Sequence, residues 1–151
     1  MTPTATVEDV ALWCTAPAFR PFQLHAVRWL DWDRDFDLAV GIDGAVTPET
    51  WLWTKENGFQ YCAVVEGDRA LARAAVWTYS DRCWEVAAVR TREEFRGRGM
   101  AKSVVSFVTA RILGEGRVPT LHTQPTNVAM LGAANAIGFR FVDAEFEALT
   151  R

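Results

Sequence analysis

Apolar positions along this chain change period several times, and each change predicts a different element. Between residues 100 and 113 they recur at the spacing that lines one face of a helix, which is the pattern of a helix lying on a sheet. The residues on that face are Val104, Val105, Val108 and Ile112. Ahead of this helix, β-like runs bounded by polar turns predict three consecutive antiparallel strands. They cover 60–66, 69–80 and 83–91.

The remaining elements are indicated by their ends. Thr47 before Pro48 is a strong helix start, so 48–56 is predicted to be a short helix. Another helix is expected from Thr126 to Gly138, whose glycine suits a left-handed C-cap. Further strands are predicted at 22–29, where a helix is the alternative, at 118–124, and at 139–142 and 144–148. This order predicts an α+β fold with one mixed β-sheet and helices packed on both faces.

Acidic residues alternate from Asp31 to Asp37 and resemble the start of a calcium-binding loop. The loop motif also requires a glycine at its sixth position and a glutamate at its twelfth, and both are missing here. A solvated acidic loop is therefore the favoured interpretation.

Length and composition predict one domain over residues 1–151, with 1–20 as an N-terminal arm. A net charge of -3 and a pI near 5.4 argue against nucleic-acid and membrane-surface partners, which usually attract a basic surplus. Three cysteines without a C-x-x-C pair indicate free thiols in a cytoplasmic protein, and with two histidines they make a metal site unexpected. A homodimer is left open.

The junction between the strand at 83–91 and the helix at 100–113 carries the strongest functional signal. It contains Gly97 and Gly99, together with Arg96, Arg98 and Lys102. The first amides of a helix lack partners within it and lie at the positive end of the helix dipole, and glycines let the backbone approach a ligand closely. This turn is therefore predicted to bind a diphosphate.

Two common phosphate motifs do not explain this turn. A P-loop requires four residues between its glycines and a following Lys-Ser or Lys-Thr, whereas Gly97 and Gly99 are separated by one residue. A dinucleotide-binding turn requires a third glycine where this chain has Lys102. Neither a nucleotide hydrolase nor a dinucleotide-binding fold is predicted.

The order Arg96, Gly99, Ala101 resembles the acyl-CoA binding signature of the GNAT acyltransferase superfamily. That signature is a glutamine or arginine, two variable residues, a glycine, one variable residue, and a glycine or alanine. A second GNAT hallmark is resembled by Asn127 followed by a helix that ends in Gly138-Phe139. The two motifs stand in the family's order, and the resemblance covers roughly residues 60–143. The chain departs from the family at Ala134, where many members carry a tyrosine that acts as general acid.

This resemblance implies acetyl-CoA as co-substrate, with no metal. It implies that the pantetheine lies along the strand ending at Val89 to Thr91, that Asn127 reaches the cofactor, and that an amide near Ala88 polarises the thioester carbonyl. The implied cofactor-binding residues are Val89, Thr91, Arg96, Gly97, Arg98, Gly99, Met100, Ala101, Lys102 and Asn127.

Acyl transfer to an amine also needs a base, because an alkylammonium with a pKa near 10.4 must lose a proton before it attacks. Glu85 matches the position of the catalytic glutamate in histone-acetylating GNAT members, and an exposed structural glutamate is the alternative. His122 and Tyr79 are the side-chain candidates for returning a proton to the thiolate, and a structural histidine is the alternative for His122. Cys62 and Cys83 are disfavoured as acyl carriers because neither has a histidine nearby in sequence.

Three functions follow from these features. The leading hypothesis is an N-acetyltransferase that acts by direct attack of a primary amine of a small molecule or protein. The alternative is a non-catalytic acyl-CoA binding sensor or module, which Ala134 favours. The third is an anion-binding structural domain.

Overall fold

The computed structural model describes residues 8–42, 44 and 46–151, and its centre is a seven-stranded mixed sheet. The strands are β1 Val10–Trp13, β2 Arg28–Trp29, β3 Phe59–Glu66, β4 Arg69–Trp77, β5 Cys83–Thr91, β6 Val118–Thr123 and β7 Arg140–Phe141. Their order across the sheet is β2-β3-β4-β5-β6-β1-β7. Strands β5 and β6 are parallel, and the other neighbours are antiparallel. The predicted α+β class is confirmed.

Five helices flank the sheet in the described part of the chain. They are α1 Phe36–Val40, α2 Pro48–Glu56, α3 Met100–Gly114, α4 Val128–Ile137 and α5 Ala144–Leu149. The predicted start of α2 is confirmed, since the Thr47 hydroxyl accepts the N–H of Thr50 at 3.2 Å. Gly138 ends α4 in a left-handed conformation, with φ of 114°. No helix among the described residues has both the length and the apolar character that crossing a bilayer requires.

The two faces of the sheet are covered by different helices, because alternate side chains of each strand point to opposite sides. On one face, Cys62 and Val64 of β3 join the core formed with α3 and α4. The four apolar residues predicted to face the sheet from α3 are fully buried there. On the other face, Tyr61 and Ala63 pack with residues of α1 and α2. Helices on both faces were predicted and are confirmed.

The predicted N-terminal arm is wrong where it overlaps β1. Val10–Trp13 inserts between β6 and β7, and the Trp13 side chain is buried. Four residues are too few to show a period, and this strand is specified by non-local pairing with Thr120–Thr123. Residues 1–7 of the predicted arm lie outside the described residues.

Two predicted strands are also corrected. Only Arg28–Trp29 of the predicted strand 22–29 pairs with β3. The N–H of Phe22 donates instead to the hydroxyl of Ser106 on α3 at 2.8 Å, so the preceding segment follows that helix. The alternation at 144–148 belongs to helix α5, whose start is capped by the carboxylate of Asp143.

The acidic stretch from Asp31 to Asp37 runs into the short helix α1, which the prediction of a loop missed. The Asp35 carboxylate accepts the N–H of Asp31 at 2.6 Å and a hydrogen bond from Arg28 at 3.0 Å. The Arg28 hydrogen bond lowers the pKa of Asp35, so this carboxylate is charged. Its hydrogen bond from the N–H of Asp31 stabilises the local turn.

Candidate active site

Strand β5 and helix α3 are joined by a turn that depends on two glycines. After a single 3₁₀ turn at Glu93–Phe95, Gly97 and Gly99 have φ angles of 78° and 79°. This left-handed region is strained for residues that carry a Cβ, so the tight path into α3 favours glycine at both positions. The turn therefore presents main chain rather than bulky side chains at the start of the helix.

The main-chain N–H groups at this helix start have no acceptor in the described part of the protein. This holds from Gly97 to Lys102, and Ser103 is the first whose N–H donates, to the carbonyl of Gly99 at 3.1 Å. Unpaired amides at a helix N-terminus attract anions, because the positive end of the helix dipole lies there. The amides on which the sequence-based hypothesis depends are thus left without a protein partner.

These amides border a cleft of about 420 Å³ formed by the end of β5, the start of α3 and the start of α4. Nine of the ten predicted cofactor-binding residues line it. They are Val89, Thr91, Arg96, Gly97, Gly99, Met100, Ala101, Lys102 and Asn127. Arg98 is not among the lining residues; its guanidinium lies 5.1 Å from the ring centre of Phe95, which does line the cleft.

Two cations in the cleft wall remain available to an anion. Arg96 is exposed, and its side chain makes only a long hydrogen bond of 3.4 Å to the carbonyl of Thr91. The Lys102 ammonium lies 5.2 Å from the ring centre of Phe22. Neither forms an ion pair among the described residues. Positive charge therefore faces the same space as the unpaired amides.

Strand β5 has a bulge where it reaches the cleft. Ala88 and Val89 lie opposite a single residue of β4, Ala74, and Ala88 has a φ of 55°. The buried Arg73 guanidinium supports this strained position, since its Nε donates to the carbonyl of Ala88 at 3.4 Å. Its Nη1 donates to the carbonyl of Ala39 at 3.0 Å, which ties the bulge to α1. Non-glycine residues with positive φ often mark functional sites.

A gap opens between the parallel strands β5 and β6. They pair only from Cys83 to Glu85 on β5, and Thr120 is the last paired residue of β6. Both strands continue beyond this point, so their facing edges diverge toward the cleft. The gap leaves main-chain groups of β5 free to bond an extended ligand.

Glu85 and His122 come into contact where the strands diverge. Nδ1 of His122 contacts Oε1 of Glu85, and the His122 side chain is 45% exposed while that of Glu85 is 14% exposed. Glu85 lies directly beside Thr120, and His122 is two residues farther along β6 on the same face. An exposed imidazole beside a shielded carboxylate can accept or donate a proton.

Tyr79, the third predicted catalytic residue, lies on the other side of Thr120. Its hydroxyl is 3.1 Å from Oγ1 of Thr120. Burial raises the pKa of Tyr79, the Thr120 hydrogen bond opposes that effect, and the charge of Glu85 adds to it. The phenol is therefore protonated at neutral pH, and the three predicted catalytic side chains are grouped around one residue of β6.

A family model described as FR47-like protein matches residues 64–147, which is more than half of the chain. The chain belongs to the FR47-like family. No curated protein sequence matches this FR47-like chain.

Solved structures of GNAT proteins share the fold of this FR47-like chain. A GNAT-family protein from Novosphingobium aromaticivorans is 25% identical with a TM-score of 0.73, over 90% of this chain and 60% of that one. A GNAT-family acetyltransferase from Colwellia psychrerythraea is 16% identical with a TM-score of 0.72, over 91% and 53%. The FR47-like chain thus spans 60% and 53% of these two structures. The GNAT superfamily predicted from the two motifs is confirmed.

A third structure contains a ligand. It is AAC(6′)-Iy in complex with the bisubstrate analogue CoA-S-monomethyl-acetylneamine. It is 16% identical to the FR47-like chain with a TM-score of 0.59, over 76% of this chain and 90% of that one. At this identity the likeness concerns the fold.

Helix α4 of the FR47-like chain starts at the cleft with the predicted residue Asn127 and buries Ala134, the position where many GNAT members carry a tyrosine. The side-chain oxygen of Asn127 accepts the N–H of Met130 at 3.1 Å, so this residue caps α4 as well as lining the cleft. Ala134 is fully buried in the core and does not line the cleft. Ala133 lines it instead and carries no ionisable group.

Residues 22–25 support the turn and were not predicted to do so. Nε2 of His25 is 2.8 Å from the carbonyl oxygen of Arg98, and the main-chain N–H of His25 donates to the hydroxyl of Ser103 at 3.2 Å. A Cβ on Gly99 would approach both Phe22 and Leu24 to 3.2 Å. No sequence signal links residues 22–25 to a turn that lies more than 70 positions later.

The three cysteines of the FR47-like chain are buried free thiols. Burial raises the pKa of Cys62 to about 12, that of Cys14 to about 11, and that of Cys83 in the same direction. A thiol that stays protonated is a poor nucleophile. Among the described residues, no group of three or more His, Cys, Asp or Glu side chains is arranged to hold a metal.

Proposed function

We propose that this protein is an N-acetyltransferase that transfers the acetyl group of acetyl-CoA to a primary amine by direct attack. The observation that carries the proposal is the row of unpaired amides from Gly97 to Lys102 along a cleft that also contains Arg96. Donors fixed in this way suit an anion with many acceptor oxygens, because they need no reorganisation on binding. A diphosphate meets that description.

Each part of acetyl-CoA has a group in or beside this cleft that could bind it. When bound it supplies an acetyl group activated as a thioester, with a thiolate as leaving group. The amides of the turn, with Arg96 and Lys102, would hold the diphosphate. Main-chain groups from Val89 to Thr91 would bond the pantetheine, and the amide at the Ala88 bulge would face the thioester oxygen. The CoA-containing ligand of AAC(6′)-Iy, a protein of the same fold, supports CoA as the ligand of this cleft.

The Glu85–His122 pair would carry out the proton transfers of the reaction. At neutral pH a primary ammonium needs a base within reach before its nitrogen carries a lone pair. The Glu85 carboxylate would accept that proton, directly or through the imidazole of His122. As the C–N bond forms and the C–S bond breaks, His122 would return a proton to the departing sulfur. Nitrogen loses two protons between the ammonium and the amide N–H. The first passes through the Glu85–His122 pair to solvent, and the second, released as the C–N bond forms, balances the proton that reaches the sulfur.

Tyr79 is an alternative donor for the sulfur. Its raised pKa keeps the phenol protonated, and Thr120 fixes its hydroxyl next to the Glu85–His122 pair. With Ala134 buried in the core, helix α4 supplies no phenol of its own. The proton donor would therefore come from β6 or from the segment after β4.

A second candidate function is a non-catalytic acyl-CoA sensor, which the absence of a tyrosine at Ala134 favours. Sensor and enzyme share the cofactor turn and differ in turnover.

The acceptor amine of the proposed enzyme belongs to a small molecule or a protein. The buried free thiols agree with a reducing compartment such as the cytoplasm.

Two measurements on the same preparation test this proposal. Millimolar acetyl-CoA is expected to raise the melting temperature, and a panel of amines is expected to include acceptors that release free CoA thiol above background. Stabilisation without thiol release from any amine would favour the sensor. No stabilisation by acetyl-CoA would contradict both functions.

A further inference from the structure

Four aromatic rings form a continuous row on the face of the sheet opposite α3, and we call this row the aromatic ladder. It consists of Trp53, Phe59, Trp77 and Tyr79. Phe59 and Trp77 are stacked at 5.1 Å with an interplanar angle of 15°. Tyr79 lies 5.1 Å from Trp77, and Trp53 lies 5.9 Å from Phe59. The spacing is that of interacting aromatic pairs.

The ladder is partly exposed but fixed in place. Trp53 is 53% exposed and Tyr79 is 41% exposed, whereas Trp51 on the same helix as Trp53 is buried in the core. Nε1 of Trp77 donates to the carbonyl of Asn57 at 3.1 Å, and the Tyr79 hydroxyl pairs with Thr120. Since the polar atoms of Trp77 and Tyr79 are engaged by protein, these two rings are held as a surface for another flat group.

The ladder ends beside the Glu85–His122 pair. Trp77 lies directly opposite Glu85 in the pairing of β4 with β5, and Glu85 lies beside Thr120 on β6. Residues paired in this way share a face of the sheet, with Cβ atoms roughly 5 Å apart. A molecule lying on Trp77 can therefore extend a short chain to Glu85.

Within the described part of the chain, the ladder differs from other aromatic rings in having no cation placed over it. Elsewhere in the described structure, six rings have an arginine or lysine within 5.8 Å of their centre. They are Trp13, Phe22, Trp29, Tyr61, Trp84 and Phe95. No described lysine or arginine lies over a ring of the ladder. The negative faces of the ladder and the Glu85 carboxylate are thus left to attract a cation from outside.

From this arrangement we infer that the acceptor is an arylalkylamine: a primary amine joined to an aromatic ring by a short chain. The inference rests on the proposed function and names the acceptor of that site. The aromatic body would stack on Trp77 and its neighbours, and the ammonium would point to Glu85, where its proton is removed. A polar amine such as an amino sugar would leave the ladder without a partner.

Two amines of the same length and ring size test the inference. 2-Phenylethylamine and 2-cyclohexylethylamine differ in the aromaticity of the ring, so only the former can form a π-stack. Calorimetric titration without acetyl-CoA is expected to give about fivefold tighter binding of the aromatic amine. Thiol release with acetyl-CoA is expected to show the same preference in kcat/KM.

Single substitutions test whether the aromatic ladder causes this preference for the aromatic amine. Trp77→Leu is expected to remove the preference, and Trp53→Leu, on an exposed side chain that can be lost without harm to folding, is expected to reduce it. Phe141→Leu is the matched control, because Phe141 is 59% exposed and lies outside the ladder. That variant should keep the full preference.

The outcomes separate this inference from the proposed function. Equal binding of the two amines would overturn the inference, and acetylation of polar amines in the same assay would leave the proposed function standing. Preferential binding of 2-phenylethylamine without its acetylation would also overturn its role as acceptor. If acetyl-CoA then neither stabilises the protein nor reacts with any amine, the proposed function itself has failed.

Discussion

Replacing Gly97 by alanine separates ligand binding by the turn from its role in folding. Gly97 has a φ of 78°, and a Cβ built there meets no atom within 4 Å. Gly67, in the hairpin between β3 and β4, has a φ of 63° and the same open surroundings. Each alanine would therefore cost about 1–2 kcal/mol of backbone strain. For a chain of this length, that lowers the melting temperature by roughly 2–8 °C in both variants.

The two variants differ in what the added methyl group reaches. At position 97 it enters the wall of the proposed acetyl-CoA cleft, whereas position 67 is at a distant hairpin. Acetyl-CoA at 100 times its Kd should stabilise the wild-type protein by about 2.7 kcal/mol, or roughly 5–11 °C. We expect Gly97→Ala to bind at least about tenfold more weakly, which removes about 1.4 kcal/mol of that stabilisation. Gly67→Ala should keep all of it.

Thermal melts of both variants with and without acetyl-CoA provide the assay. The ligand-induced shift should be smaller in Gly97→Ala by roughly 3–6 °C than in Gly67→Ala. Equal ligand-induced shifts in the two variants would refute the reasoning, because strain would then be the only effect of a side chain at Gly97.

Three further substitutions test other parts of the structure. Glu85→Gln should lower kcat, measured by thiol release, by about 10²–10⁴-fold. The Kd for acetyl-CoA, measured by calorimetry, should not change, and a matching loss of affinity would instead indicate a binding role. Asp35→Asn should destabilise by about 1 kcal/mol at pH 7, because Arg28 lowers the pKa of the carboxyl. That difference should disappear as the pH falls below 3.8 toward the folded-state pKa, and a difference that persists in urea melts at low pH would exclude this cause. Gly138→Ala should destabilise by at least about 2 kcal/mol, since its Cβ would lie 2.2 Å from the carbonyl oxygen of Ala18; an unchanged melting temperature would contradict the close packing.

Local chemistry made much of the fold predictable. Helix α2 is marked by its cap and proline, and α3 by its apolar stripe, so both were located to within a residue or two. Helix α5 shows the limit of periodicity. Its alternation reads as a strand, but the Asp143 cap and two acidic residues in the first turn favour a helix start, and that local signal prevailed.

Features that depend on distant contacts were not predictable. Strand β1 is four residues long and exists because β6 and β7 pair with it on either side. The support of the turn by His25 likewise joins segments that no spacing connects. The turn at Gly97 and Gly99 could be predicted because its glycines, cations and helix start are contiguous in sequence. The contact of Glu85 with His122 depends on the parallel register of β5 and β6. The sequence therefore indicated each residue as a catalytic candidate but could not predict that they touch.

The central claim is that main-chain amides from Gly97 to Lys102 hold the diphosphate of coenzyme A. Amide chemical-shift mapping with ¹⁵N-labelled protein tests it most directly, with CoA and with pantetheine, which lacks the diphosphate, as paired ligands. We predict large shifts at residues 97–102 with CoA and small ones there with pantetheine, while both ligands shift Val89 and Thr91. Unchanged resonances at 97–102 on saturation with CoA would contradict the account.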